Sequence, residues 1–152
     1  MNIELPARGW VPAQSVLMLA VVSLGVAFRG QWLSSVGFSV GAFLFVIAAG
    51  IGVTGVLALG TNRTAKPEPL PDARLVEHGI YGRIRHPLYA SVMLAGFGWG
   101  LLWQSWPALG AAVVQVAFFN AKAQREENLL QKRFPDYARY AGRTNRFIPW
   151  LV

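Results

Sequence analysis

The stretch Gly79-Ile80-Tyr81-Gly82-Arg83-Ile84-Arg85-His86-Pro87-Leu88-Tyr89-Ala90-Ser91 lies between a polar, proline-rich loop and a long apolar run. Proline suits the first turn of a helix, where its missing N–H would have no partner anyway, and it biases the preceding His86 toward extended backbone. A helix is therefore expected to begin at Pro87. Tyr81, Arg83, Arg85, His86 and Tyr89 then gather at a helix N-terminus, whose N–H groups and dipole attract anions. Such a corner, at the point where the chain enters an apolar phase, is a seat for a charged cofactor.

Outward from this corner the composition sets the class. Of 152 residues, 54% are hydrophobic and 14% charged, and the mean hydropathy is +0.39, which indicates an integral membrane protein and not a soluble domain. The chain has no cysteine, which excludes disulfides, thiolate metal sites and a cysteine nucleophile. Two histidines, His78 and His86, make no metal-ligand spacing, so no metal is expected. The net charge of +7 is carried by residues flanking apolar segments, a pattern that fits anionic lipid headgroups and not nucleic acid.

Four membrane spans are expected, over about residues 10–28, 32–59, 88–106 and 107–124. The first is set apart from a signal peptide by a mixed-charge lead, a long apolar run and the lack of a small-residue cleavage site before Arg29. The second exceeds a straight crossing and carries Gly37, Gly41, Gly50, Gly52 and Gly55, which serve close helix packing and imply tilt or a bend. Gly60 to His78, with Pro67, Pro69 and Pro71, is a connecting loop. Ser105-Trp106-Pro107 turns the chain into a fourth helix that continues past its apolar part through Asn120, Lys122 and Gln124, a candidate site wall.

Residues 125–152 form a basic tail. Phe119, Ala123, Leu130 and Phe134 share one helical face, and Asn120, Gln124, Glu127 and Gln131 another. Pro135 ends the helix, and Phe147-Ile148-Pro149-Trp150 makes an aromatic clamp suited to the interface. Lysine and arginine concentrate in the lead (Arg8), in the loop before the third span and in the tail. The positive-inside rule then puts those segments, and both termini, on the cytoplasmic side of what is expected to be a prokaryotic inner membrane. The fold class expected is thus all-α, a four-helix membrane bundle with a cytoplasmic helical tail, all in a single domain.

Chemistry concentrates further at Glu126-Glu127, the only acidic pair. Neighbouring residues on a helix point about 100° apart, so one carboxylate is expected to face the site and the other to pair with an arginine. Glu127 is the inward choice because it shares the stripe of Asn120 and Gln124.

The run Gly79, Tyr81, Arg85-His86-Pro87, Tyr89, then Glu126-Glu127 with Leu129, then Phe134-Pro135, Tyr137, Tyr140 and Arg143, and finally Ile148-Pro149, resembles the isoprenylcysteine carboxyl methyltransferase and phospholipid methyltransferase superfamily of membrane enzymes. The resemblance covers the C-terminal half, and Ser91 stands where many members have glycine. It implies S-adenosylmethionine as methyl donor and a lipophilic acceptor entering from the bilayer. The residues it assigns to the cofactor pocket are Gly79, Tyr81, Arg85, His86, Pro87, Tyr89, Glu126 and Glu127. Catalytic roles fall to Glu127 and Arg143. Two other readings compete: a nicotinamide-dependent membrane sterol-type reductase, and a non-enzymatic lipid-binding bundle, which Arg83, Arg139 and Arg146 suit as anchors.

Overall fold

The computed structural model describes residues 9–68 and 70–148. Among these the chain is all-helical: α1 (Trp10–Ala27), α2 (Ser35–Leu59), α3 (Pro87–Leu102), α4 (Trp106–Arg133) and the short α5 (Tyr137–Arg143), with single 3₁₀ turns at Gly60–Asn62 and Gly79–Gly82. The polar lead with Arg8, the residue Pro69 and the Pro149-Trp150 half of the expected aromatic clamp lie outside the described residues.

Local chemistry fixes the helix ends. Ser34 caps α2 by accepting a hydrogen bond from the Gly37 N–H at 3.0 Å, and Ser105 does the same for α4 from the Ala108 N–H at 3.3 Å. Each satisfies a donor that the helix itself cannot. Pro87 occupies the first turn of α3, as the sequence leads one to expect. Helix α4 stops at Arg133, two residues before Pro135.

Helices α1 and α2, the latter running on through Asn62, are long and apolar enough to cross a membrane. Leu19, Phe43, Val46 and Leu57 are each more than 60% exposed. A surface this apolar is tolerable in hydrocarbon and not in water. The protein is therefore a membrane protein. The stretches expected as four spans fall on helices α1 to α4, of which the last two differ in make-up from the first two. Helix α3 has only 16 residues, roughly 24 Å at 1.5 Å per residue, against a bilayer core of about 30 Å. Helix α4 has 28 residues and is apolar only in its first half, so the expected fourth span and the start of the expected tail form one continuous rod.

Glycine decides how α2 meets α3. A Cβ added at Gly41 would fall 2.6 Å from the Leu102 nitrogen, and one at Gly98 would fall 3.0 Å from the Gly41 oxygen. The two backbones are therefore in direct contact. Ser91, on the same seam, donates to the Ala48 carbonyl at 2.7 Å beside Gly52, so the serine is accommodated because its neighbour has no side chain. Helix α4 packs against both α1 and α3, and Trp10, Met93, Phe118 and Phe119 form the core there, with Phe147 of the tail laid against it. At the far end, the α1–α2 and α3–α4 connections are joined by Gly30 N–H to Trp103 O at 2.9 Å and Gln31 N–H to Gln104 O at 3.0 Å.

Candidate active site

At the opposite end, the chain returns on itself. After α5, residues 144–146 run alongside residues 83–86: the Arg85 N–H donates to Asn145 O at 2.8 Å, His86 N–H to Arg146 O at 3.0 Å, and Asn145 N–H to Arg83 O at 3.0 Å. A single parallel bridge joins Ile84 to Asn145. The backbone donors of Arg85 and His86 are thus taken by the tail. Gly79 adopts φ +61°, which glycine enters without penalty, and the turn it starts buries Tyr81. Tyr140 then donates its hydroxyl to the Tyr81 carbonyl at 2.8 Å.

Glu127 is the hub of the charged cluster. Its Oε1 accepts from Arg85 Nε at 2.9 Å, His86 Nε2 at 3.2 Å and Arg146 Nε at 3.2 Å, and its Oε2 accepts from Arg146 Nη2 at 2.6 Å. Burial pushes the Glu127 carboxyl up, but the hydrogen bonds from His86, Arg146 and Arg85 outweigh it and hold the group well below the usual carboxylate range. Arg85 also donates Nη1 to the Ala141 carbonyl at 2.9 Å and to the Thr144 carbonyl, tying the tail to the cluster. Arg146 extends the cluster to Asn120, donating Nη1 to its Oδ1 at 3.0 Å.

Glu126 makes a different set of contacts. Tyr89 donates its hydroxyl to Glu126 Oε2 at 2.6 Å, and the His86 ring is stacked on Tyr89 with centroids 5.2 Å apart and planes 2° from parallel. Tyr81, Arg85, His86, Tyr89 and Glu126 line one cavity. Leu88, Leu130 and Phe134 line it with apolar surface, and Thr64, Leu75 and Val76 of the α2–α3 loop also line it. Tyr137 and Tyr140 complete it. Burial first, and nearby carboxylates second, raise the phenols of Tyr81 and Tyr137, and burial likewise raises that of Tyr140, so all three remain protonated hydrogen-bond donors.

The residues singled out in the sequence are therefore distributed in three ways. Tyr81, Arg85, His86, Tyr89 and Glu126 meet on the cavity. Glu127 lies behind them, paired with the arginines, so the division of labour expected within Glu126-Glu127 is reversed: Glu126 is on the wall. The reason is that the returning tail brings Arg146 onto the Asn120–Glu127 stripe and occupies it. Gly79 and Pro87 shape the backbone and do not line the cavity. Arg143 is exposed and pairs with Glu77, apart from the cluster. Arg146, which looks like a surface anchor in the sequence, turns out to be central. Its 19-residue separation from Glu127 crosses a helix break, and no periodicity carries over it.

The chain has relatives among characterised proteins. It is 29% identical over 145 residues, 93% of its own length, to the nickel-cobalt-cadmium resistance protein NccN of Alcaligenes xylosoxydans xylosoxydans, and covers 63% of that protein. Over 80 residues, 51% of its length, it is 38% identical to the cobalt-zinc-cadmium resistance protein CzcN of Cupriavidus metallidurans, covering 36% of it. Human 3-oxo-5-alpha-steroid 4-dehydrogenase 2 is 26% identical over 106 residues, which are 70% of this chain and 41% of that one. The chain thus spans less than two thirds of the length of these relatives. The phospholipid methyltransferase family profile matches residues 36–137, from α2 through the cavity to Tyr137, and the chain belongs to that family.

Proposed function

We propose that the protein is an S-adenosylmethionine-dependent methyltransferase acting on a lipidic or membrane-associated acceptor. Helices α1 to α4 cross the bilayer, and the cavity opens at the cytoplasmic headgroup level, where the basic loop and tail lie. The observation that carries this reading is the convergence of Tyr81, Arg85, His86, Tyr89 and Glu126, from segments some forty residues apart, on one cavity.

The donor set fits the cofactor's chemistry. A carboxylate at Glu126 suits an ammonium group or ribose hydroxyls, and the ring of Tyr81 suits an adenine or a sulfonium. The cavity volume is about 100 Å³, below the roughly 300–1,000 Å³ common for ligand pockets, so it holds only part of a nucleoside-sized donor. When bound, S-adenosylmethionine supplies an activated methyl group.

The chain's own contribution is alignment and exclusion of water. Glu127 fixes Arg85 and His86, and His86 in turn holds the Tyr89 ring by stacking on it. Leu88, Leu130 and Phe134 line the cavity with apolar surface, which favours an acceptor with a lipid tail. Where the acceptor is an amine, Glu126 is the better placed of the two glutamates to take a proton, since Glu127 is held ionised by three donors. Arg143, tied to Glu77, takes no part in this arrangement.

Binding of S-adenosylhomocysteine by the protein in lipid nanodiscs, followed by incubation with radiolabelled donor and a membrane lipid extract, tests the reading. Saturable binding and a labelled lipid are expected. The likeness to the human steroid dehydrogenase is compatible with reduction, which is the second reading. Tight binding of a nicotinamide dinucleotide with none of the adenosyl compounds would select it.

A further inference from the structure

Lys122 is fully buried in the middle of α4. A lysine ammonium in such a place costs several kcal/mol unless its donors are met, and here they are met without an ion pair among the described residues. Its Nζ donates to the Gln14 side-chain oxygen of α1 and, at 2.8 Å, to the Ala65 carbonyl of the α2–α3 loop. It also stands 5.2 Å from the centre of the Tyr89 ring, within cation–π range.

These contacts bear on the cavity from two sides. Tyr89 is held at its face by Lys122 and at its hydroxyl by Glu126, and Lys122 and Glu126 are one helical turn apart on α4, so both project to the same side. Ala65 adjoins Thr64, which lines the cavity as Tyr89 does. Lys122 itself does not line it. We infer that Lys122 is a positioning residue: a buried cation that sets the Tyr89–Glu126 pair and the Thr64 wall at the separation the cavity requires. The inference rests on the proposed donor site for its consequence, though not for its geometry. No aliphatic side chain can replace it, because none has a donor for the Gln14 oxygen and the Ala65 carbonyl.

The experiment compares Lys122→Met, Lys122→Arg and the intact protein in nanodiscs, first by amide hydrogen exchange without ligand and then by S-adenosylhomocysteine titration. In Lys122→Met, exchange in the peptide over residues 62–66 is expected to rise about tenfold while α2 and α3 keep their protection, and affinity to fall about tenfold. Lys122→Arg is expected to restore both to within about threefold, which a purely space-filling role would not do. Should Lys122→Met not fold, Gln14→Leu, which removes one acceptor and keeps the lysine, is expected to raise the same exchange about threefold. Unchanged exchange over residues 62–66 in the variant that folds overturns the inference. If the intact protein binds no adenosyl compound, the donor-site reading fails while the exchange result still decides the role of Lys122.

Discussion

Arg85 and Glu127 meet at 2.9 Å across 42 positions of sequence, and this pair joins the entrance of α3 to the polar half of α4. Both side chains are largely buried, 12% and 14% exposed, with Arg146 closing the other side at 2.6 Å. Removing the carboxylate leaves two buried guanidinium groups facing one another. Glu127→Ala is expected to destabilise the fold by about 3–5 kcal/mol, with the melting temperature in detergent as the measurement. Glu127→Gln, which retains an acceptor, is expected to cost less than half as much.

The same cluster predicts a pH response. The Glu127 carboxyl is held below its ordinary value of 4.5 in the fold, so its ionised form is favoured by folding. Its contribution is complete above about pH 5 and is lost as pH falls through the lower folded value. The stability difference between the intact protein and Glu127→Gln should therefore stay level from about pH 5 to pH 8 and shrink in more acid solution. Arg85, Arg146 and His86 face the group, and all three remain in the variant. A difference that shrinks instead on the alkaline side would contradict the assignment.

Glu126 is expected to behave otherwise. It has one strong partner, Tyr89 at 2.6 Å, and lies on the cavity wall. Glu126→Gln should leave the melting temperature nearly unchanged and weaken S-adenosylhomocysteine binding by about 1.5–3 kcal/mol, the usual worth of a hydrogen bond to a charged group. Tyr89→Phe should weaken it by less, since the ring and its stacking on His86 survive. Calorimetric titration in nanodiscs measures both.

How much of this could be read from the chain depends on whether the signal was local. Pro87, Ser105 and Pro135 mark helix boundaries through their own backbone chemistry, and the boundaries of α3 and α4 fall within a residue or two of them. The stripe Phe119, Ala123, Leu130 and Phe134 is also local, and it points inward, the first two into the core and the last two onto the cavity. The Arg-His-Pro corner is legible for the same reason. What could not be read is what the tail does after its last helix. Residues 144–146 lie in an extended segment with no period, yet they bring Arg146 to Glu127 and so send Glu126, and not Glu127, to the cavity. Lys122 is legible only in part: its place beyond the apolar half of α4 marks it as part of a candidate site wall, but its partners Gln14 and Ala65, 108 and 57 residues away, leave no local signal.

The seam between α2 and α3 gives a prediction that links packing to the cavity. A methyl group at Gly41 would lie 2.6 Å from the Leu102 nitrogen, 2.8 Å from the Gly98 oxygen and 2.9 Å from the Leu101 Cβ. Two of these are backbone atoms of the facing helix, which cannot rotate away, so the helices must separate. Gly41→Ala is expected to destabilise the bundle by about 1–3 kcal/mol. Gly50 lies on the same helix and has nothing within 4 Å of an added Cβ. Gly50→Ala should be neutral or slightly stabilising, because alanine is the better helix former by about 1 kcal/mol in water. Separation of α2 from α3 would also move Leu59 relative to Leu88, which lie on those two helices and both line the cavity. Gly41→Ala should therefore weaken S-adenosylhomocysteine binding as well, and Gly50→Ala should not. A loss of stability common to both variants would mean that glycine serves helix flexibility here and not the close approach of backbones.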